Sequence, residues 1–225
     1  MRRLLAIGLL LAAGALFACG GGGDDDREEP AATREAPTES VFADAQRVEA
    51  DDDPSLPGEY VDLPGMYGGM YAGEPNTAPH VRDFVDYSVQ GLPPAGGPHW
   101  GSGPCPDDPE DAAEFCGPVP WGIYRAPWRA ESLVHNMEHA GIVIWYDTTD
   151  QDVIDQLEDF ATEQLNNDTL LVLTPYPDMT DETVAITVWS RRDVMPADEL
   201  DLARLDRFIS ALACRFNPEQ FPCTG

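Results

Sequence analysis

Apolar positions in the last third of the chain follow the two periods of regular secondary structure. Helical spacing predicts one helix capped by Thr149 or Asp150 that runs to about Leu165, and a second from about Ala197 to Ala213. Three β-branched runs predict strands, namely Ile142–Tyr146, Thr169–Thr174 and Thr183–Ser190. The order strand, helix, strand, strand, helix predicts an α/β (α+β) fold, in which two main helices pack on a small sheet of about four strands.

The region before these elements has no such periodicity. From Glu59 to about Trp128 the chain is dominated by Gly and Pro turns, and only short strands fit between them, such as Val81–Val89. Aromatic side chains recur throughout this region, so we expect its loops to pack against the sheet. The prediction is a single globular domain over residues 59–225 with a long, loop-rich N-terminal half.

The first 58 residues predict export. Residues 1–18 join a basic start to an apolar run too short to span a membrane. The sequence Leu16-Phe-Ala-Cys19 resembles the lipobox of bacterial lipoproteins, which implies that Cys19 becomes an acylated N-terminus. An ordinary signal peptide cut after Ala18 is the alternative. Residues 19–58 are acidic and rich in Gly, Pro and Ala, which predicts a disordered tether.

Acylation implies a place and a partner for the chain. Acyl chains on Cys19 would anchor the protein to the lipid bilayer of the cell envelope, on the extracytoplasmic side, without crossing it. The formal net charge is −28, and the chain contains no lysine. Such a surface repels phosphate backbones, so a nucleic-acid partner is excluded. The charge identifies no protein partner.

Four cysteines remain after Cys19, and an even number in an exported chain predicts two disulfides. They are Cys105, Cys116, Cys214 and Cys223. Three pairings are possible, and the spacing favours the two local ones, 105–116 and 214–223. No spacing fits a zinc knuckle, so we assign these cysteines to the scaffold.

Histidine-bearing motifs carry a resemblance to a known family. They are Pro93-Pro-Ala-Gly-Gly-Pro-His99, Trp121-Gly-Ile-Tyr124 and Leu133-Val-His135-Asn-Met-Glu138-His139-Ala-Gly-Ile-Val143. Residues 78–190, which also include His80-Val81, resemble a family of secreted bacterial and archaeal proteins, the domain of unknown function numbered 3105. That family usually has glycine where this chain has Ala140. The resemblance implies no established activity.

All the histidines of the chain fall in these motifs, which indicates a candidate metal site. The candidate ligands are His80, His99, His135 and His139. Imidazole suits copper and zinc, so either ion is the expected cofactor. Glu138 is a candidate ligand or a hydrogen-bond partner for a ligand's second nitrogen. The alternative is a non-catalytic envelope module in which the histidines are structural.

The block His135-x-x-Glu138-His139 also matches the inverted zincin pattern of metal-dependent hydrolases. That chemistry needs a helix, and the apolar strand after Gly141 argues that no helix continues there. In an extended chain, positions 135 and 139 would lie about 13 Å apart, too far for one ion. A tight turn at Asn136 would allow metal binding, although not the protease scaffold. The sequence therefore favours a metal-binding protein over an enzyme and leaves the hydrolase as the alternative. No serine or free thiol is placed for nucleophilic catalysis.

Overall fold

The computed structural model describes residues 52–67, 80–87, 91–105, 116–215 and Cys223. The predicted signal peptide, Cys19 and residues 20–51 of the predicted tether lie outside the described residues. The strands are β1 (Glu59–Tyr60), β2 (His80–Val81), β3 (His99–Trp100), β4 (Gly122–Ile123), β5 (Ile142–Asp147), β6 (Leu171–Pro175), β7 (Thr183–Val188) and β8 (Arg191–Pro196). The helices are α1 (Leu63–Tyr67), α2 (Ala130–Glu138), α3 (Gln151–Asn166) and α4 (Leu202–Leu212).

A six-stranded sheet forms the centre of the fold, in the order β1-β8-β7-β5-β6-β4. Strand β5 runs parallel to β6 and antiparallel to β7, and α3 makes the crossover between β5 and β6. Strands β7 and β8 form a hairpin, and the short strands β1 and β4 extend the two edges. A separate parallel pair joins β2 to β3. The predicted α/β class is confirmed.

Both faces of the sheet are covered, which explains the apolar run of β5. Ile142 and Ile144 pack among residues of α3 and α4, whereas Val143 and Trp145 pack among residues of α2 and the N-terminal loops. All four of these side chains are almost completely buried. A strand that is buried on both faces has no polar face, so its sequence shows no alternation.

Helix α3 begins and ends close to the predicted positions. The side chain of Asp150 caps its N-terminus by accepting hydrogen bonds from the backbone N–H groups of Asp152 and Val153. Helix α4 begins at Leu202, five residues after the predicted start. Ala197–Glu199 form a 3₁₀ turn instead, and Asp201 caps the helix by accepting from the N–H of Arg204 at 3.0 Å.

The sheet has more strands than predicted, because a strand that contains polar residues does not show the apolar pattern from which strands were predicted. The predicted strand 183–190 ends at Val188, and the chain turns back through Trp189 and Ser190 into β8. Strand β8 starts Arg191-Arg192-Asp193, yet these three side chains are buried. The predicted strand Val81–Val89 is reduced to His80–Val81 within the described residues.

Arg191 also holds the segment before β1. Its guanidinium donates to the backbone carbonyls of Leu56 and Gly58 at 3.0 and 2.7 Å, and its Nε donates to that of Pro57 at 3.0 Å. Residues 52–58, which the sequence assigned to the tether, therefore contact the sheet. Among the described residues, no helix has both the length and the apolar character that crossing a membrane requires.

The structure pairs Cys105 with Cys116 and Cys214 with Cys223, the two local pairings that the spacing favours. Next to the first bridge, Gly103 and Cys116 exchange backbone hydrogen bonds of 2.8 and 2.7 Å. This bridge secures the chain that leaves β3.

Candidate metal centre

The first two histidines lie side by side because β2 and β3 pair in parallel. In this register His80 is directly opposite His99, and Val81 is opposite Trp100. The indole Nε1–H of Trp100 donates to the carbonyl of Asp83 at 3.1 Å, which adds a second link between the two segments. Two short segments that lack a recognisable strand pattern therefore bring two imidazoles together.

The other two histidines lie at the C-terminal end of α2, a helix that the sequence argument denied. His135 and Glu138 occupy its last turn, and His139 is its C-cap. The prediction of an extended chain with a separation of about 13 Å is wrong, because α2 extends to Glu138 and the motif forms its last turn and C-cap. The Nε2 atoms of His135 and His139 are 3.0 Å apart.

The helix ends in a Schellman motif, which separates it from β5 within two residues. Gly141 N–H donates to the carbonyl of Asn136 at 2.9 Å, and Ala140 N–H donates to that of Met137 at 3.1 Å. Ala140 has a φ of 66°, in the left-handed region that favours glycine. This geometry is the physical reason to expect glycine at position 140.

Polar contacts inside the loop region hold α2 in place. The side chain of Asn136 accepts from Val119 N–H at 2.8 Å and donates to the Val119 carbonyl at 2.7 Å. At the other end of the helix, Glu131 Oε1 accepts from the N–H of Val85 at 2.8 Å. These bonds connect the helix to the chain on both sides of β3.

The four imidazoles form one continuous cluster. Ring centroids are 4.9 Å apart for His80 and His99, 5.2 Å for His80 and His135, and 5.2 Å for His99 and His135. His139 continues the cluster, with its centroid 4.5 Å from that of His135. The structure thus brings together all four histidines that the sequence singled out.

Two backbone carbonyls orient the buried rings. His99 Nδ1 lies 2.9 Å from the carbonyl oxygen of Gly97, and His135 Nδ1 lies 2.7 Å from that of Trp100. A carbonyl only accepts, so each Nδ1 carries the hydrogen. In a neutral ring this arrangement leaves a lone pair on Nε2. Both Nε2 atoms face the shared space between the rings.

Glu138 lies on the Nε2 side of the cluster. Its Oε2 is 3.2 Å from His80 Nε2 and 2.9 Å from His99 Nε2. The carboxylate therefore does not hold the second nitrogen of His99 or His135, because Gly97 and Trp100 provide those contacts. It occupies the position where charge would balance a cation held by the imidazoles.

Burial and neighbouring charges set the protonation of this site. Burial is the main reason, and the nearby His99 the next, that the pKa of His135 falls from its ordinary 6.5 to about 4. Burial alone would raise the pKa of Glu138. The hydrogen bond from His99 and the charges of the neighbouring imidazoles outweigh burial, so that pKa is lower than usual. At neutral pH His135 is therefore uncharged, with its Nε2 3.0 Å from that of His139, and Glu138 carries a negative charge.

One histidine opens the cluster to solvent. The side chain of His80 is 47% exposed, whereas those of His99 and Glu138 are 0% and 2% exposed. His80 also lines a cavity of about 200 Å³ together with Trp100 and Gly101. A Cβ on Gly101 would lie 2.9 Å from Cγ of His80, so only glycine lets the ring approach this closely.

The donor atoms fall into two overlapping groups that can hold an ion. His80, His99 and His135 form one, and His135, Glu138 and His139 form the other. Within each group the donor atoms lie within 4.8 Å of one another, and His135 belongs to both. Met137 packs in the apolar core and is fully buried. The donors are therefore nitrogen and oxygen, without sulfur.

Sequence reasoning missed the carbonyl partners and the glycine beside His80. A backbone carbonyl that fixes the tautomer of a histidine cannot be recognised in the sequence, because every residue has a backbone carbonyl. Gly101 does follow His99-Trp100 directly, and a glycine next to a short strand is a signal for close approach of another group. That signal could have indicated where His80 packs.

Comparison with protein-family models matches residues 116–225 to a family described as "Protein of unknown function (DUF3105)". This is the predicted family, although the matched range begins later than residue 78 and extends beyond residue 190. His80 and His99 lie outside the matched range. Searches among curated proteins and among solved structures each gave no match. The part of the chain that matches this family model includes His135, Glu138 and His139.

Proposed function

We propose that this protein binds one divalent transition-metal ion, Cu²⁺ or Zn²⁺, through His80, His99, His135 and His139. The observation that carries the proposal is the orientation of the two buried rings. Their Nδ1–H groups donate to the carbonyls of Gly97 and Trp100, and their Nε2 atoms lie beside the other candidate donors, His99 beside Glu138 and His135 beside His139. Metal-binding histidines commonly have this outer hydrogen bond, which fixes the tautomer and orients the ring.

The spacing of the donor atoms supports binding with little rearrangement. Ligand atoms at about 2.0–2.1 Å from a tetrahedral ion lie about 3.3 Å from one another. The contacts already present are 3.0 Å between His135 and His139 Nε2, and 2.9 and 3.2 Å from Glu138 Oε2 to the other two rings. Small side-chain rotations would bring these atoms around one centre.

In this proposal Glu138 is a ligand or an alternative ligand, rather than an outer partner. Without a cation its Oε2 lies 3.2 and 2.9 Å from Nε2 of His80 and His99, and it accepts from a ring only when that ring carries a hydrogen on Nε2. An ion would displace those hydrogens and take over the attraction to the carboxylate. Metal uptake would therefore release protons, as expected when imidazoles become ligands.

The donor set decides which metals to test. Imidazole and carboxylate suit Zn²⁺ and Cu²⁺, whereas Cu⁺ prefers sulfur, which is absent from the donors of the described cluster. Zinc would use four donors in a tetrahedron, and Cu²⁺ would use a flatter arrangement. Five candidate donors are enough for either.

We further propose that the site is carried on a lipid-anchored protein of the cell envelope. The support is the lipobox-like sequence ending at Cys19 and the acidic, glycine-rich residues that follow it. Cys19→Ser should release the protein from membranes or block its processing. Unchanged partitioning of this variant into detergent would contradict the proposed lipid anchor and would leave the metal proposal unaffected.

The experiment that tests the metal proposal is elemental analysis of the full chain purified without an affinity tag, before and after loading with Zn²⁺ or Cu²⁺. We expect about one ion per chain. His80→Ala should weaken binding because it removes a donor from a largely exposed position, where the fold tolerates the change. Met137→Leu is the matched control, since that side chain packs in the core beside the site.

Acid should weaken binding in the wild-type chain, because protons compete for the imidazole lone pairs. A stoichiometry well below one ion per chain would contradict the assigned ligands. Equal metal affinities of His80→Ala and the wild type as the pH is lowered would contradict them as well. In that case the histidines serve a structural role.

A metal-dependent hydrolase is a second candidate, and one observation favours it. Helix α2 places His135, Glu138 and His139 on adjacent positions of one turn, as the inverted zincin pattern requires. Glu138 would then accept a proton from water, but its Oε2 is held by two imidazoles. Turnover of peptides or esters by the loaded chain, lost in Glu138→Gln while the metal is retained, would establish this activity.

A further inference from the structure

A second cavity, of about 1090 Å³, lies along the N-terminal end of α2. The described residues that line it include none of the four histidines. Six aromatic side chains line it, namely Phe84, Tyr87, Trp100, Tyr124, Trp128 and Tyr176. Phe84 and Trp128 are 46% and 41% exposed, large fractions for apolar side chains of this size. An exposed apolar surface inside a cavity indicates a ligand site.

The rings are arranged in two edge-to-face pairs. Tyr124 and Trp128 have centroids 5.4 Å apart and planes at 81°, and Phe84 and Trp100 have centroids 5.5 Å apart and planes at 69°. Rings at steep angles present faces in more than one direction. The guanidinium carbon of Arg129 already lies 5.2 Å from the centroid of Phe84, so one of these faces is in contact with a cation of the protein itself.

The charge on the cavity wall is negative. Asp86, Glu131 and Asp178 line it, and Arg129 is the one basic side chain among its described lining residues. Glu131 is only 4% exposed. Its Oε1 accepts from Val85 N–H. Burial raises its pKa, although this hydrogen bond and the charge of Arg129 offset part of the effect.

We propose that this cavity binds a small organic cation that carries a quaternary ammonium group. Aromatic faces attract such a cation through the ring quadrupole, and its weak hydration makes it easy to move out of water. The carboxylates add attraction and disfavour anions. A quaternary ammonium also needs no hydrogen-bond acceptor, which suits a wall where the buried carboxylate is already engaged with Val85. This proposal does not depend on the metal site.

Titration of the full chain with choline, followed by calorimetry and tryptophan fluorescence, tests the proposal. The neutral isostere 3,3-dimethyl-1-butanol has the same shape without the charge. We expect saturable binding of choline at one site and at least tenfold weaker binding of the isostere. Equal binding of the two would overturn the proposal, because shape alone would then explain occupancy. Absence of saturable choline binding up to about 10 mM would overturn it as well.

Three variants assign the binding to this cavity. Trp128→Ala should weaken choline binding about fivefold to tenfold, and Trp128→Phe should restore part of the loss. Glu131→Gln should weaken it about fivefold while keeping an acceptor for Val85 N–H. Glu163→Gln, which removes an exposed carboxylate on α3, is the matched control for general attraction to an acidic protein. Equal losses in Glu131→Gln and Glu163→Gln would place the cation elsewhere and overturn the assignment.

Discussion

The two pairs of histidines reach the candidate metal centre in different ways. His135 and His139 are four residues apart and share one helical turn, so local structure alone puts their Nε2 atoms 3.0 Å apart. His80 and His99 are joined through the pairing of two-residue strands β2 and β3. The first pair depends on whether α2 forms. The second depends on how the loops pack.

Each pair joins one buried ring to one more exposed ring, since His99 and His135 are buried and oriented by carbonyls. The His80 side chain is 47% exposed and depends on the close approach that Gly101 permits. We infer that His135, in the helical pair, contributes more to the affinity of the proposed site than His80, in the strand pair. The predictions below test this ranking.

The largest effect is expected when the shared ligand is removed. His135 belongs to both groups of donors, so His135→Ala should reduce affinity for Zn²⁺ or Cu²⁺ by about 100-fold or more, as loss of a ligand does. His80→Ala should cost about tenfold. Competition with a chromophoric chelator measures both values. A greater loss for His80→Ala than for His135→Ala would reverse the ranking of the two pairs.

A smaller effect is expected when the strand pair is disturbed without removing a ligand. In Gly101→Ala the new Cβ would lie 2.9 Å from Cγ of His80 and 3.1 Å from its Nδ1, so the exposed ring must swing away. Metal affinity should fall about fivefold to tenfold, with little change in the free energy of unfolding of the metal-free chain. Gly103→Ala is the matched control, since a Cβ there meets nothing within 4 Å. Unchanged affinity in Gly101→Ala would show that His80 does not act as a ligand.

The link between α2 and the segment after β2 can be tested through Glu131. Its pKa is raised by burial, so the charged form destabilises the folded state at neutral pH. Glu131→Gln keeps the acceptor for Val85 and should increase the free energy of unfolding by about 1 kcal/mol at pH 7. A group whose pKa is raised by folding favours the folded state at low pH and loses that contribution as the pH rises. The advantage of the variant should therefore shrink as the pH falls through the raised pKa towards the ordinary carboxyl pKa.

Chemical denaturation at a series of pH values measures this dependence. Glu163→Gln, at an exposed position, should show little change at any pH. A constant difference between Glu131→Gln and the wild type across the series would contradict the assigned cause.

The smallest effect is expected at the C-terminal end of α2, the helix that carries His135 and His139. Ala140 has a φ of 66° in the Schellman motif, so Ala140→Gly should relieve strain and increase the free energy of unfolding by about 0.5–1 kcal/mol. Metal affinity should be nearly unchanged, because the last turn of α2 keeps its geometry. Thermal unfolding measures the gain. A loss of stability would mean that glycine at this position costs more in chain entropy than the strain it removes.

The sequence by itself determined the elements whose side chains face a continuous core. Helix α3 has a clear helical period, and strands β5, β6 and β7 are continuous runs rich in β-branched residues, because the sheet is covered on both faces. Local spacing of the cysteines likewise favoured the disulfides found in the structure. The four histidines could be chosen as a set because so few occur and all lie in motifs.

Only the tertiary structure decided how those histidines meet. Helix α2 was missed because it is buried all round, with Glu131, Asn136 and Glu138 inside, so no polar face reveals its period. Strand β8 was missed because its arginines and aspartate are compensated by partners distant in sequence, such as the carbonyls that Arg191 binds. The convergence of His80 and His99 depends on pairing between two-residue strands. Contacts of this kind are decided by the surrounding fold, so the local pattern predicts the scaffold and leaves the geometry of the site open.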